Sequence, residues 1–82
     1  MLTIEHSSHF LSLLHKIKNQ ADKEKVKKQI TKIIANPEIG KPMRYARKGT
    51  REAYTGSFRL SYAYIPEENK LVFLDLYHKD DQ

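Results

Sequence analysis

The chain has 82 residues, of which 15 are Lys or Arg and 10 are Asp or Glu, giving a net charge of +5 and a pI near 9.5. That length allows one domain, and a chain of this size buries only about 60% of the surface exposed by its unfolded form. Cysteine is absent, which excludes disulfides, thiolate metal sites and a cysteine nucleophile.

Residues 1–6 show no basic stretch leading into an apolar run. No apolar run in the chain nears the roughly 18 residues needed to span a bilayer. A cytoplasmic protein without membrane contact is therefore expected. β-Branched Thr3 and Ile4 predict a short strand over residues 2–5, and Ser7-Ser8 supplies an N-cap for a helix. Phe10, Leu11, Leu13, Leu14 and Ile17 share one face of that helix, with His9, Ser12, Lys16 and Lys18 pointing outward. Asn19-Gln20-Ala21-Asp22 interrupts it, and Asp22 is the expected cap of a second helix, in which Val26, Ile30, Ile33 and Ile34 recur at helical spacing. The second helix should stop at Asn36-Pro37, because the residue before proline is driven out of the helical region. Joined by so short a connection, the two helices are expected to form an antiparallel hairpin. Lys23, Lys25, Lys27, Lys28 and Lys32 then lie mostly on its solvated side.

After Gly40 the hydrophobic period changes to that of strands. Residues 41–47, 51–55, 58–65 and 70–77 read as four strands, separated by Lys48-Gly49-Thr50, Gly56-Ser57 and Pro66-Glu67-Glu68-Asn69. The last three are expected to pair as an antiparallel meander. Leu71-Val72-Phe73-Leu74 is apolar at every position, which predicts a central strand covered on both faces. The fold class is therefore α+β, in a single domain spanning residues 1–82: a short first strand, then a two-helix hairpin packed on a mainly antiparallel, twisted sheet of four or five strands.

Residues 41–59 hold six Lys or Arg (Lys41, Arg44, Arg47, Lys48, Arg51, Arg59) against the single acid Glu52, so this window alone carries +5. Interleaved with apolar and aromatic residues at strand spacing, it reads as a cationic sheet face suited to RNA. Phe58, Leu60, Tyr62 and Tyr64 alternate toward one face, which leaves Arg59 with the small residues Ser61 and Ala63 on the other. There its guanidinium has two uses: gripping a phosphate through paired hydrogen bonds, or forming a plain ion pair with Glu52 next door. At the end of the last strand, His78 is suited to proton transfer, Lys79 to phosphate charge, and Tyr77 to hydrogen bonding or base stacking. A terminal histidine is also often just exposed. Tyr45 and Tyr54 are further stacking candidates, whereas Tyr62 reads as packing. RNA can be cleaved when its own 2′-hydroxyl attacks the phosphate in line, which needs a base, an acid and cations around the transition state. Lys and Arg meet the last need, so no metal and no cofactor is expected.

These segments resemble the RelE/ParE superfamily of toxin-antitoxin toxins. The resemblance rests on Asn36-Pro37-Glu38-Ile39-Gly40-Lys41-Pro42, Lys48-Gly49, Gly56-Ser57-Phe58-Arg59-Leu60-Ser61-Tyr62 and the closing Leu76-Tyr77-His78-Lys79, and it covers nearly the whole chain. It implies an α/β toxin that cleaves messenger RNA, commonly on the ribosome, and is neutralised by a small cognate antitoxin. It also implies that Arg59 contacts the scissile phosphate, that His78 and Lys79 with Tyr77 form the catalytic end, and that Arg44, Arg47, Lys48 and Arg51 bind the RNA backbone. The sequence departs from the pattern at Glu52, where some RelE toxins carry lysine, and in having no tyrosine after His78. The ParE branch, which binds DNA gyrase and is not a nuclease, and a non-catalytic RNA-binding module are the alternatives. A double-stranded-RNA-binding domain fits less well, since no helix follows the last strand.

Overall fold

The computed structural model describes residues 2–43 and 49–79. It shows α-helices α1 (Ser8–Lys16) and α2 (Gln20–Ala35) and strands β1 (Thr3–His6), β2 (Lys41–Pro42), β3 (Thr50–Thr55), β4 (Phe58–Ile65) and β5 (Lys70–His78). The strands form one sheet in the order β1-β5-β4-β3-β2. Three of its pairings are antiparallel and β1 runs parallel to β5, so the architecture is α+β on a mixed five-stranded sheet. Of the expected strand 41–47, Lys41–Pro42 is the described part; residues 44–48 lie outside the described residues.

Local chemistry explains the helix boundaries. Ser7 caps α1 by accepting from Phe10 N–H at 3.0 Å, and its hydroxyl donates to the Leu74 carbonyl at 3.0 Å. The cap of α2 is Asn19 and not Asp22: the Asn19 side chain accepts from Asp22 N–H at 3.2 Å. Asp22 instead sits in the first turn, where a carboxylate meets the positive end of the helix dipole.

The helices cover one face of the sheet. Phe10, Val26, Ile33, Leu60, Tyr62, Leu71 and Phe73 are fully buried between the layers, and the Phe10 and Phe73 rings stack at 5.4 Å. The expected core narrows in three places. Leu11 and Ile34 are exposed, at 41% and 37%, because each lies at the rim of an apolar stripe wider than the contact it makes. In β5 the buried residues are Leu71, Phe73 and Leu76, while Val72 and Leu74 are only half-buried. The strand is central, but just one of its faces is sealed.

β5 also breaks its own alternation. Ser61 pairs with Asp75 and Tyr62 with Phe73, so Leu74 has no partner on β4 and forms a bulge. Side chains take up the backbone groups around it: Ser7 Oγ donates to Leu74 O, and Asp75 Oδ1 accepts from Leu76 N–H at 2.8 Å. The β3–β4 turn needs only two residues, and Gly56 supplies the positive φ of 57° there.

Ser7→Ala removes the α1 cap and leaves the Leu74 carbonyl without its hydroxyl donor. It should cost about 1–2 kcal/mol, toward the upper end for an N-cap. A lower urea midpoint at unchanged slope would show this, with Ser7→Thr losing less. Burial raises the pKa of the Tyr62 phenol above its usual 10.0. A raised acid favours the folded state only while protonated, so this contribution is complete below pH 10.0 and lost as pH climbs through the higher folded value. Alkaline unfolding followed by far-UV circular dichroism should therefore lose one steep component in Tyr62→Phe.

Candidate functional site on the open sheet face

Residues directly opposite on antiparallel strands share a face, so the register assigns every candidate to a side. Leu60 opposite Leu76 and Tyr62 opposite Phe73 mark the helix side. On the other side Tyr54 faces Arg59, Arg59 faces Tyr77, Glu52 faces Ser61, and Lys41 faces Glu52. Among the described elements no helix covers that side.

Among the described residues, Arg59 and Lys41 gather on this face around Glu52. The Arg59 guanidinium lies over the Tyr54 ring, 4.8 Å from its centroid, and Lys41 Nζ lies 6.0 Å from the same centroid. Tyr54 is 53% exposed, so these cations are held on an aromatic surface open to solvent. The Tyr77 hydroxyl donates to Glu52 Oε2. Among the described residues Glu52 makes no ion pair with Arg59; the carboxylate is engaged by the phenol, and the guanidinium stays directed at the tyrosine ring. Below them Ser61 is 7% exposed, its hydroxyl 3.6 Å from the Met43 sulfur.

The bulge sends His78 to the opposite side. It pairs with Phe58, their rings edge to face at 5.3 Å, and it lines an open cleft of about 750 Å³ with His9, Leu13, Ile17, Phe58 and Asp75. His9 Nε2 and Asp75 Oδ1 are 3.2 Å apart on the rim. Lys79 is exposed, and its N–H donates to Ser57 O at 2.8 Å, which fastens the strand end to the β3–β4 turn. Tyr77 and Arg59 thus come together across the β4–β5 pair, whereas His78 turns to the helix side, where Tyr77 also contributes to the lining of the cleft.

Arg51 is placed differently from Arg59. It faces Tyr62 on the helix side and donates from Nη1 to Glu38 O at 3.1 Å and Gly40 O at 2.7 Å. Arg44, Arg47 and Lys48 lie outside the described residues. Lys41 and Glu52 join Arg59 on the open face without having been singled out for the chemistry. The signal for both was the cross-strand pairing of 41 with 52, which single-strand alternation does not reveal. Among the described residues no cluster of three or more His, Asp or Glu side chains is arranged to hold a metal ion, and no helix is long and apolar enough to cross a membrane.

This arrangement of two helices on a five-stranded mixed sheet is that of the RelE toxins. The chain superimposes on the E. coli toxin of the intact RelBE toxin-antitoxin complex with a TM-score of 0.81 at 18% identity, over 95% of this chain and 96% of that one. The toxin of the Mycobacterium tuberculosis RelBE2 complex matches at 0.78 and 27% identity, over 94% and 96%. The toxin of the archaeal RelE-RelB complex from Pyrococcus horikoshii matches at 0.77 and 13%, over 99% and 98%. No family model matches the sequence, and no curated protein does. The chain has the RelE-type toxin fold.

Tyr54→Phe should keep the guanidinium over the ring, whereas Tyr54→Ala should free it. Nε–H exchange of Arg59 measured by NMR should be unchanged in the first variant and several-fold faster in the second.

Proposed function

We propose that the protein is the toxin of a toxin-antitoxin pair and an endoribonuclease acting on messenger RNA, with the ribosome as its platform and a small cognate antitoxin as its inhibitor. The observation that carries this reading is the open-face cluster, in which Arg59 and Lys41 stand beside Glu52, which accepts the Tyr77 hydroxyl hydrogen bond. The fold supports it, since structural neighbours are toxins of the RelBE and RelE-RelB complexes.

The chemistry suited to these groups is transfer within the RNA itself. The 2′-oxygen attacks the adjacent phosphorus while the bond from phosphorus to the 5′-oxygen breaks. Glu52 takes the 2′-hydroxyl proton, and a protonated group gives one to the departing 5′-oxygen. The products are a 2′,3′-cyclic phosphate and a 5′-hydroxyl. Arg59 offers paired N–H donors to the equatorial oxygens, and Lys41 adds a point charge. Tyr77, already on the face, is the nearest hydroxyl able to orient Glu52 or serve as the acid. His78 packs on Phe58 toward the helix side, so its contribution is secondary to that of Tyr77, and Lys79 at the end of β5 extends the cationic rim. Arg44, Arg47 and Lys48 extend the backbone contacts. Charge stabilisation dominates this design, because Arg59 and Lys41 are both placed to meet the charge that develops on the phosphate.

Cleavage of a messenger RNA in translation extracts should fall about 10²- to 10³-fold in Arg59→Ala, the effect of losing one preorganised charge donor. Glu52→Gln should lose a comparable factor, about 10²- to 10⁴-fold for a general base. New 5′-hydroxyl ends mapped in the wild type and absent in Arg59→Ala would support the nuclease. Arg59→Ala with full cleavage overturns it, and growth arrest with intact transcripts would move the reading to gyrase binding.

A further inference from the structure

β2 should be a poorly fixed strand. It has two residues, one of them a proline without an N–H, and it lies at the edge of the sheet. Yet it carries Lys41 to the open face, and a ladder so short gives little to hold that side chain in place. Beyond the two ladder pairs and the Met43 N–H bond to Thr50 O at 3.0 Å, further fixing comes from the other side of the sheet. The fully buried Tyr62 donates through its hydroxyl to Pro37 O at 2.8 Å and accepts from Gly40 N–H at 2.9 Å. Its cross-strand neighbour Arg51 binds Glu38 O and Gly40 O. Four backbone groups of residues 37–40 are thus tied to β3 and β4 by two side chains.

Gly40 makes the closure possible. A Cβ there would sit 2.6 Å from the Tyr62 hydroxyl oxygen and 3.0 Å from the Glu52 carbonyl oxygen, so the backbone lies directly against the phenol. The next residue is Lys41, and its pairing with Glu52 turns it to the face opposite the clamp.

We propose that Tyr62 and Arg51 are positioning residues: a polar clamp on the helix side of the sheet that sets Lys41 against Tyr54 on the RNA-binding side. Its role in RNA binding rests on the function proposed above; its role in placing Lys41 does not. Arg51 accordingly acts through Lys41 and makes no backbone contact with RNA itself. The Tyr62 hydroxyl, unlike its ring, serves the site as well as the core.

Two measurements on the full chain separate these claims. In the first, NMR follows the Lys41 side-chain methylene shifts, displaced by the Tyr54 ring, and amide relaxation over residues 38–42, in wild type, Tyr62→Phe and Arg51→Met. Both variants should move the Lys41 shifts toward free-lysine values and mobilise 38–42. Unchanged shifts and relaxation in both overturn the clamp, whatever the protein does with RNA. Arg51→Met serves where Tyr62→Phe fails to fold, since Arg51 is only half-buried.

In the second, binding of a single-stranded RNA carrying 2′-O-methyl groups is titrated against salt. Lys41→Ala should lower the salt slope by about 0.7, the loss of one phosphate contact to a single strand. Tyr62→Phe and Arg51→Met should each reproduce part of that loss and add nothing in the Lys41→Ala background. Equal losses in the wild-type and Lys41→Ala backgrounds would overturn the positioning role and make Arg51 a direct contact. Absence of RNA binding by the wild type would overturn the proposed function and the RNA role of the clamp together, leaving the placement of Lys41 to the NMR result.

Discussion

The bulge at Leu74 is the constraint on which the two-sided character of the molecule depends. A strand that alternated without interruption from Leu71 would place Asp75 and Tyr77 with the core and turn His78 outward beside Arg59. One unpaired residue reverses that order for the rest of β5, so that Leu76 seals the core, His78 packs on Phe58 and Tyr77 joins Arg59. The bulge is held where chain segments distant in sequence meet: the α1 cap Ser7 binds Leu74 O, and Asp75 binds both Leu76 N–H and His9. An unpaired backbone group left dry would cost about 1–3 kcal/mol. The hydrogen bonds that satisfy these groups therefore also decide which side chain faces which surface.

The two faces share residues at their borders. β3 contributes Ala53 to the core, Glu52 and Tyr54 to the open face and Arg51 to the turn below it. Because each role falls on a different position of a period-two strand, one six-residue element serves packing, the charged open face and bracing together. Rigid strands suit this use, since a site built on them is held by the ladder as well as by its own side chains. The exception is β2, whose ladder is too short, and it is there that side-chain hydrogen bonds take over.

Much of this was legible in the sequence, for reasons that can be located. The helices were, because Phe10, Val26 and Ile33 recur at a period that only a helix puts on one side. Arg59 was, because Leu60 and Tyr62 mark the core phase of β4 without ambiguity. The phase of β5 was not: Leu71-Val72-Phe73-Leu74 is apolar throughout, so the pattern carries no sign of where the alternation slips. The faces of Tyr77 and His78 lie beyond that slip, which is why the sequence grouped all three end residues with Arg59. The cap of α2 was missed for a related reason. Asn19 and Asp22 are both good caps, and the choice falls to whichever lets the apolar face of α2 meet the sheet.

Glu52 shows how cross-strand pairing changes the meaning of a residue. Read along β3 alone, it is the lone acid in a basic window and a natural ion partner for Arg59. In the sheet it is held by Tyr77, and Arg59 rests instead on Tyr54. Arg59 thereby remains available to an incoming anion, because a cation–π contact at an exposed site, about 0.5–1 kcal/mol, orients a guanidinium without neutralising it. A carboxylate that accepts from a phenol likewise stays on the face beside Lys41 and Arg59 and is not consumed in a direct ion pair with Arg59. Had Arg59 and Glu52 closed on each other, each would have neutralised the other in one contact. Tyr54 and Tyr77 keep them apart, and that separation lets one small sheet present charge and proton acceptor side by side.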